Sequence, residues 1–364
     1  MAFLNAITAT APTGLWYTIL SWLEGLVHNY AVAIILLTIG VRLLLVPFDF
    51  ANKYSGKKNS RIQNKMKPEL DKINQKYAGQ RDIINQKTQE IYRRYKFNLG
   101  GMCFTMLIPM ILSMVIFTSI FGALGSISRY ETAKQFVQAR EAYYSVYDID
   151  VNNLAEGENA YDKLTQITLS MDDTEKATKQ AEADAKALAN FNENKESFLW
   201  IDNIWLADTP WSNPVLSYES FIKNTGIDDK ALTQEEYAMI VNNIQDNTRN
   251  SNGYLIIVVL SVATSYLSTA INGWITRAKA KKKGINMDQV GLGGKGKLLM
   301  WFLPVVIGLI ILFYNAAFAI YSTTGSIVLL ITNPIMTLFI DMLEFEAIEQ
   351  DEDRTMAPYD RKRK

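Results

Sequence analysis

The sequence predicts an all-α polytopic membrane protein: a five-span bundle with an interfacial N-terminal helix, a cytoplasmic helical hairpin and an enlarged outer region. Three observations predict it. Only 49% of the 364 residues are hydrophobic, yet they concentrate in the first fifty residues, in Gly101 to Leu124, in Leu255 to Ile275 and in Leu298 to Ile340. Charge is segregated beneath a net charge of zero: residues 51–97 carry 13 Lys/Arg against 4 Asp/Glu, residues 276–297 carry 7 against 1, and residues 128–252 carry 11 against 22. A cation, Arg42, lies inside the apolar run AVAIILLTIGVRLLLVPF. Lys/Arg excess marks the cytoplasmic side of a membrane, so both basic loops face in and the acidic region faces out. An odd number of spans then requires an outer N-terminus and a cytoplasmic C-terminus.

The outer N-terminal part, 1–29, opens with MAFLNAITATAPTG, which lacks a basic residue and makes a poor signal peptide. In the following LWYTILSWLEGLVHN, Leu15, Trp16, Ile19, Leu20, Leu23, Leu26 and Val27 recur at helical spacing. At roughly 21 Å this helix is too short to span and lies in the interface, with Trp16 and Trp22 at headgroup depth and His28 marking its end. Span one, 30–48, has 19 residues, which reach roughly 28 Å against a hydrocarbon core of about 30 Å. A charge in such a span costs about 2.5 to 17 kcal/mol. Arg42 therefore either snorkels to the inner interface or faces a polar cavity.

The cytoplasmic stretch 49–100 reads as two helices broken near Ala78 to Gln80, with Pro68 a kink or a late start. Ile62, Met66, Ile73 and Tyr77 form a thin apolar seam on the first, and Ile84, Ile91 and Tyr95 one on the second. Span two, 101–124, carries Thr105, Ser113 and Thr118. In the outer acidic region, 125–252, the strong helix formers of Glu175 to Asn190 predict a helix, and the aromatic-rich Phe198 to Trp211 fits an outer interface. Span three, 253–275, carries Ser261, Thr264, Ser265, Ser268 and Asn272 on one face, a stripe read as close helix packing ahead of a wet surface. The cytoplasmic basic loop 276–297 contains a glycine cluster, Gly291, Gly293, Gly294 and Gly296, without the strand and helix of a phosphate loop, and reads as a flexible linker. The last apolar run, 43 residues from Leu298 to Ile340, holds two spans, 298–314 and 317–340, with a break at Tyr314 to Ala316. The second has Ser322, Thr323, Ser326, Asn333 and Thr337 on one side and Tyr321 near its outer end. The remainder, 341–364, is a cytoplasmic tail.

With one cysteine, Cys103, and one histidine, His28, no intrachain disulfide or cysteine zinc cluster is possible, and His28 has no candidate nucleophile nearby in sequence. No cofactor, metal or bond chemistry is expected. No Asp or Glu lies within a hydrocarbon segment, which speaks against proton- or cation-coupled transport.

The segments AIILLTIGVRLLLVP, KMKPELDKINQKY, IYRRYKFNLGGMCF, FLWID and KLLMWFLPVV, with a hairpin into AIYSTTGS, resemble in order the YidC-type membrane protein insertases, bacterial relatives of the insertases of mitochondria and chloroplasts. The resemblance covers about two thirds of the chain. It implies a five-span bundle around a hydrophilic groove open to cytoplasm and lipid and closed outside, in a bacterial plasma membrane. Arg42 falls at the groove arginine, and the matching groove positions are Thr38, Thr105, Ser113, Tyr321, Ser322, Ser326 and Asn333. The basic hairpin becomes the element that first receives clients, with Lys65, Met66, Arg93 and Arg94. The implied partners are nascent membrane proteins and the bilayer, with the ribosome and the Sec translocon as further candidates and nucleic acid met only through the ribosome. The chain departs from the family where Pro109 replaces the usual groove glutamine, where Gly325 and Ser326 replace an asparagine, and in its expanded outer region. A small-solute transporter, which favours inverted repeats and discontinuous helices, and a scaffold working through its outer region are the alternatives.

Overall fold

The computed structural model describes residues 11–95, 97, 99–154, 158–206, 214–227, 231–248, 252–282, 302, 304–306 and 308–355. These are helical throughout apart from turns and one isolated bridge between Phe198 and Ile201. The helices are α1 (Leu15–Val27), α2 (Tyr30–Lys76), α3 (Arg81–Arg94), α4 (Leu99–Ser145), α5 (Ala160–Leu169), α6 (Asp173–Asn194), α7 (Tyr218–Thr225), α8 (Gln234–Asn247), α9 (Tyr254–Lys282) and α10 (Ala316–Thr355). Four of them are long and apolar enough to cross a membrane: α2, α4 from Leu107, α9 to Ile275 and α10 to Leu343. The protein is thus a multi-pass membrane protein. The expected span 298–314 and the glycine cluster lie partly or wholly outside the described residues.

Several helices run through the expected boundaries. Span one and the first arm of the hairpin form one helix, α2, of 47 residues with Pro47 and Pro68 inside it. Each proline lacks an amide hydrogen and interrupts only its own bond to the preceding turn. Pro68 does not start a helix here. Likewise α4 carries the expected span two, with Pro109 inside, on as far as Ser145. His28 ends α1 in the left-handed conformation, its N–H donating to the Glu24 carbonyl at 2.6 Å.

The chain divides into two compact units, Met1–Ile39, Ser119–Thr269 and Asn286–Ile327 in one, and Gly40–Thr118, Ala270–Ile285 and Val328–Lys364 in the other. In the first, the C-terminal part of α4 packs with α5 to α8 around a core that includes Phe136, Tyr143, Tyr144, Phe191, Phe221, Tyr237 and Ile240. Side chains cap its short helices: Asp172 Oδ1 accepts from the Thr174 and Glu175 amides, Ser217 Oγ from the Ser220 amide, and Thr233 Oγ1 from the Glu236 amide. A cap of this kind satisfies an otherwise orphaned amide at a helix start and is worth about 1 kcal/mol.

In the second unit, α2 turns at Gly79, whose φ of 87° suits glycine, into α3. Met66, Ile91 and Phe97 are buried between the arms, and Ile62, Leu70, Ile73, Tyr92 and Tyr95 pack around them. Glu69 ties the arms together, accepting from Arg94 Nη1 at 2.8 Å and from the Tyr95 hydroxyl at 2.7 Å. Met66, expected from the resemblance to receive clients, is packed inside the hairpin. So small a core gives low local stability. Met66→Ala removes a buried side chain normally worth about 2–5 kcal/mol. It is expected to bring hydrogen exchange across residues 56–95 to that of open chain while α9 and α10 keep their protection. Equal loss in hairpin and spans would show one cooperative unit instead.

Candidate functional site

The predicted site residues divide between the two units. In the second, Arg42 is half-buried on α2. Seven and eleven residues further on, Asp49 and Lys53 return to the same helix face. Arg42 and Lys53 are the cations that act on Asp49. Lys53 Nζ donates to Asn333 Oδ1 at 2.6 Å, and Lys57 pairs with Asp341 on α10. Phe50 and Phe339 join the same two helices, with ring centroids 5.8 Å apart. Asn333, read from sequence as groove wall, is thus held by a lysine that sequence reasoning passed over. The signal was present, since 42, 49 and 53 share one helical face. Ser113 is half-buried on α4, whose neighbours Leu107, Ile108, Met110, Ile111, Met114 and Val115 are exposed. The side chain of Thr105 lies outside the described residues. Lys65, Arg93 and Arg94 are exposed on the hairpin, with Arg94 engaged by Glu69.

In the first unit, Thr38 is fully buried and donates its hydroxyl to the Ile34 carbonyl of its own helix at 2.6 Å. Tyr321 is buried against Phe318. The hydroxyls of Ser322 and Ser326 lie 3.2 Å from those of Ser261 and Ser265, and Thr323 donates to the Ile257 carbonyl at 3.3 Å. The serine stripes of α9 and α10 therefore face each other, which is the close-packing role that small residues play between spans. Gly308 also approaches α9 closely, since a Cβ there would stand 2.4 Å from Val262 Cγ2 and force that side chain to shift.

Residues 196–206 bind the starts of three long helices together. Asn29 Nδ2, just before α2, donates to the Ser197 carbonyl. The Ala316 and Ala317 amides, which open α10, donate to the Leu206 and Ile204 carbonyls. Asn252, just before α9, accepts the Asn203 amide and donates to the Asn203 and Leu206 carbonyls. The α4 side joins through Ser128 to the Trp205 carbonyl and through Gln135 to the Asn203 amide group. Trp205 stands edge-on to Tyr30, with centroids 5.3 Å apart. Glu131 and Glu196 lie close by. Burial pushes both carboxyls above the ordinary range, against the pull of Lys134 on Glu131, and Glu131 itself adds to the rise of Glu196. No group of three or more His, Cys, Asp or Glu able to hold a metal occurs among the described residues.

The arrangement offers a half-buried cation on an apolar helix, an exposed apolar surface on α4 and a basic hairpin, which suit binding and positioning of apolar and acidic segments. Comparison with known proteins places it. A family model described as 60Kd inner membrane protein matches residues 22–342. A protein named membrane protein insertase YidC from Anaeromyxobacter dehalogenans is 35% identical over 111 residues, 30% of this chain and 19% of the relative. Its namesake in Fusobacterium nucleatum is 36% identical over 100 residues, 28% of this chain and 45% of the relative. That in Syntrophobacter fumaroxidans is 36% identical over 106 residues, 29% and 18% respectively. The aligned parts make up less than half the length of each of these relatives. No solved structure matches the chain. With the family match running from within α1 to within α10, the chain belongs to the 60Kd inner membrane protein family.

Proposed function

We propose that the protein is a membrane protein insertase that moves hydrophobic segments and short outer tails of client proteins into the bilayer and catalyses no bond chemistry. Membership of the family and the insertase names of its relatives support this reading. The observation that carries it is Arg42, half-buried within an apolar span, with residues 107–115 of α4 leaving an apolar surface open for a client segment. Arg42 draws an acidic outer tail partway in, and the hydrophobic segment then slides into lipid. The exposed Lys65, Arg93 and Arg94 of the hairpin receive the client. In this reading the bundle has five spans, at 30–48, 101–124, 253–275, 298–314 and 317–340. The N-terminus and residues 125–252 lie outside a bacterial plasma membrane, and the hairpin, the basic loop and the tail lie in the cytoplasm. Nascent membrane proteins and the lipid are the partners, with the ribosome and the Sec translocon as further ones.

The packed core of the outer region favours a second reading, a scaffold that works through that region. Reconstitution separates the two. Purified protein in proteoliposomes is expected to insert a short single-span client by itself, and to keep doing so when residues 158–194 are replaced by a short linker. Absence of insertion with a folded bundle overturns the insertase reading, and loss on replacing the outer helices favours the scaffold.

A further inference from the structure

One apolar feature lies outside the groove reading. Phe198 and Ile201 exchange two backbone hydrogen bonds, of 3.0 and 2.9 Å, and between them the chain makes a tight turn. Leu199, at its tip, has a φ of 53°, a left-handed conformation that leucine rarely adopts. The turn faces Ile201 inward, 1% exposed, and leaves Leu199 75% and Trp200 42% exposed. A soluble domain gains nothing from holding a leucine in such a conformation to show it to water.

The tip is also fixed at a definite depth. Trp200 Nε1 donates to the Gly253 carbonyl at 3.1 Å. Gly253 has a φ of 76°, and a Cβ there would stand 2.9 Å from the Trp200 carbonyl oxygen, so the two backbones approach as only glycine allows. Gly253 immediately precedes α9, whose apolar stretch Tyr254–Ile275 has 22 residues. At about 1.5 Å per residue it measures roughly 33 Å, against a hydrocarbon core of about 30 Å, which puts Gly253 at the hydrocarbon boundary. The lipid-facing surface of α9 begins at Ile256, 53% exposed, within one helical turn of the residue that Trp200 holds. Lys195, beside the tip, is paired with Asp202 at 2.7 Å, so recognition here is apolar rather than by attraction to anionic headgroups.

We propose that Leu199 and Trp200 form a lipid-contact site that enters the bilayer interface at the end of the bundle where α9 begins. A tryptophan with its ring in the boundary and its N–H satisfied suits that depth, and the neighbouring leucine reaches the acyl region. The site follows from the membrane location alone and stands or falls separately from insertase activity.

The test uses the full-length chain with Leu199→Cys in a Cys103→Ser background, labelled with an environment-sensitive fluorophore and reconstituted in vesicles. Nitroxide lipids carrying the spin label near the headgroup are expected to quench it several-fold more strongly than lipids labelled deep in the chain. Iodide in the buffer should quench it several-fold less than a label at Gln180→Cys on exposed α6. The result should be the same in phosphatidylcholine alone and with added phosphatidylglycerol. Ser197→Cys, whose exposed side chain leaves the turn intact, gives the reading should Leu199→Cys not fold. Iodide quenching equal to that at Gln180 with no lipid quenching overturns the proposal, as does contact that requires the anionic lipid.

Discussion

Arg42→Gln is expected to stop insertion of clients with acidic outer tails while leaving clients with neutral tails nearly unaffected. An Asp at the middle of the membrane costs about 2.5–3.5 kcal/mol on the insertion scale. A carboxylate about 4 Å from Arg42 regains about 4 kcal/mol at an effective dielectric of 20. One cation thus cancels one carboxylate without trapping it, and its loss slows entry of an acidic tail by roughly a thousandfold, at about 1.4 kcal/mol per factor of ten. Lys53 cannot substitute, since its ammonium is held by Asn333 on α10. Arg42→Lys retains a cation and should retain most activity, because the effect is one of field rather than of a forked hydrogen-bond geometry. The measurement is insertion of a client pair differing only in tail charge, in proteoliposomes. Wild-type rates for both clients with Arg42→Gln would mean that Arg42 only anchors its span.

The largest effect on folding is expected at Glu236. Its carboxylate is 0% exposed and accepts from Arg140 Nε at 2.7 Å, with the Arg140 side chain 3% exposed, and from the Tyr144 hydroxyl at 2.9 Å. Two charges removed from water in this way repay their desolvation only together, and deleting one partner typically costs about 3–5 kcal/mol. Set against the total stability of a domain, about 5–15 kcal/mol, Glu236→Ala should remove a large fraction of the stability of α5–α8 and raise the population of their open form by a hundredfold or more, at about 1.4 kcal/mol per factor of ten. Proteolysis within α5–α8 in the assembled protein reads this directly. The paired change Arg140→Met with Glu236→Leu should restore much of the loss, because neither charge is then left alone in the core. Resistance of the single variant equal to that of the wild type would show that the pair is not load-carrying for the domain.

Hydropathy and charge made much of this fold legible. Four apolar segments become long helices, the hairpin breaks at Gly79 within the stretch marked by Ala78 to Gln80, and the helix formers from Glu175 to Asn190 lie inside α6. Legibility failed where local signals are overridden by tertiary context. Pro47 and Pro68 ordinarily end helices, yet α2 runs through both, because each deletes one bond from a helix supported elsewhere along its 47 residues. The short outer helices were missed because each contributes only a few apolar residues to a core assembled from distant segments. Their caps were nonetheless readable: Thr233 three residues before Glu236 has the spacing of a capping box, although Glu236 turns to Arg140 instead of back to its own helix. Among the site residues, Arg42 was found from its contrast with its surroundings. Thr38, Ser322 and Ser326 were read from position alone, and the partners of their hydroxyls, the Ile34 carbonyl of the same helix for Thr38 and the α9 serines for the other two, could not be. A polar residue in an apolar helix does not announce which neighbour it satisfies.

The segment 196–206 constrains how the bundle can move. It is bonded to the chain at the starts of α2, α9 and α10 and to the side of α4, and the Asn252 side chain alone contributes three hydrogen bonds to it. Separating those helix ends means breaking several buried hydrogen bonds at once, each leaving groups that cost about 1–3 kcal/mol when unsatisfied. Further along the same helices, α9 and α10 meet through serine hydroxyls 3.2 Å apart, contacts that can lengthen or re-pair at little cost. Within this unit the segment is a fixed point: the starts of α9 and α10 part only if several of those bonds break together, whereas the serine contacts further along the same two helices give way first.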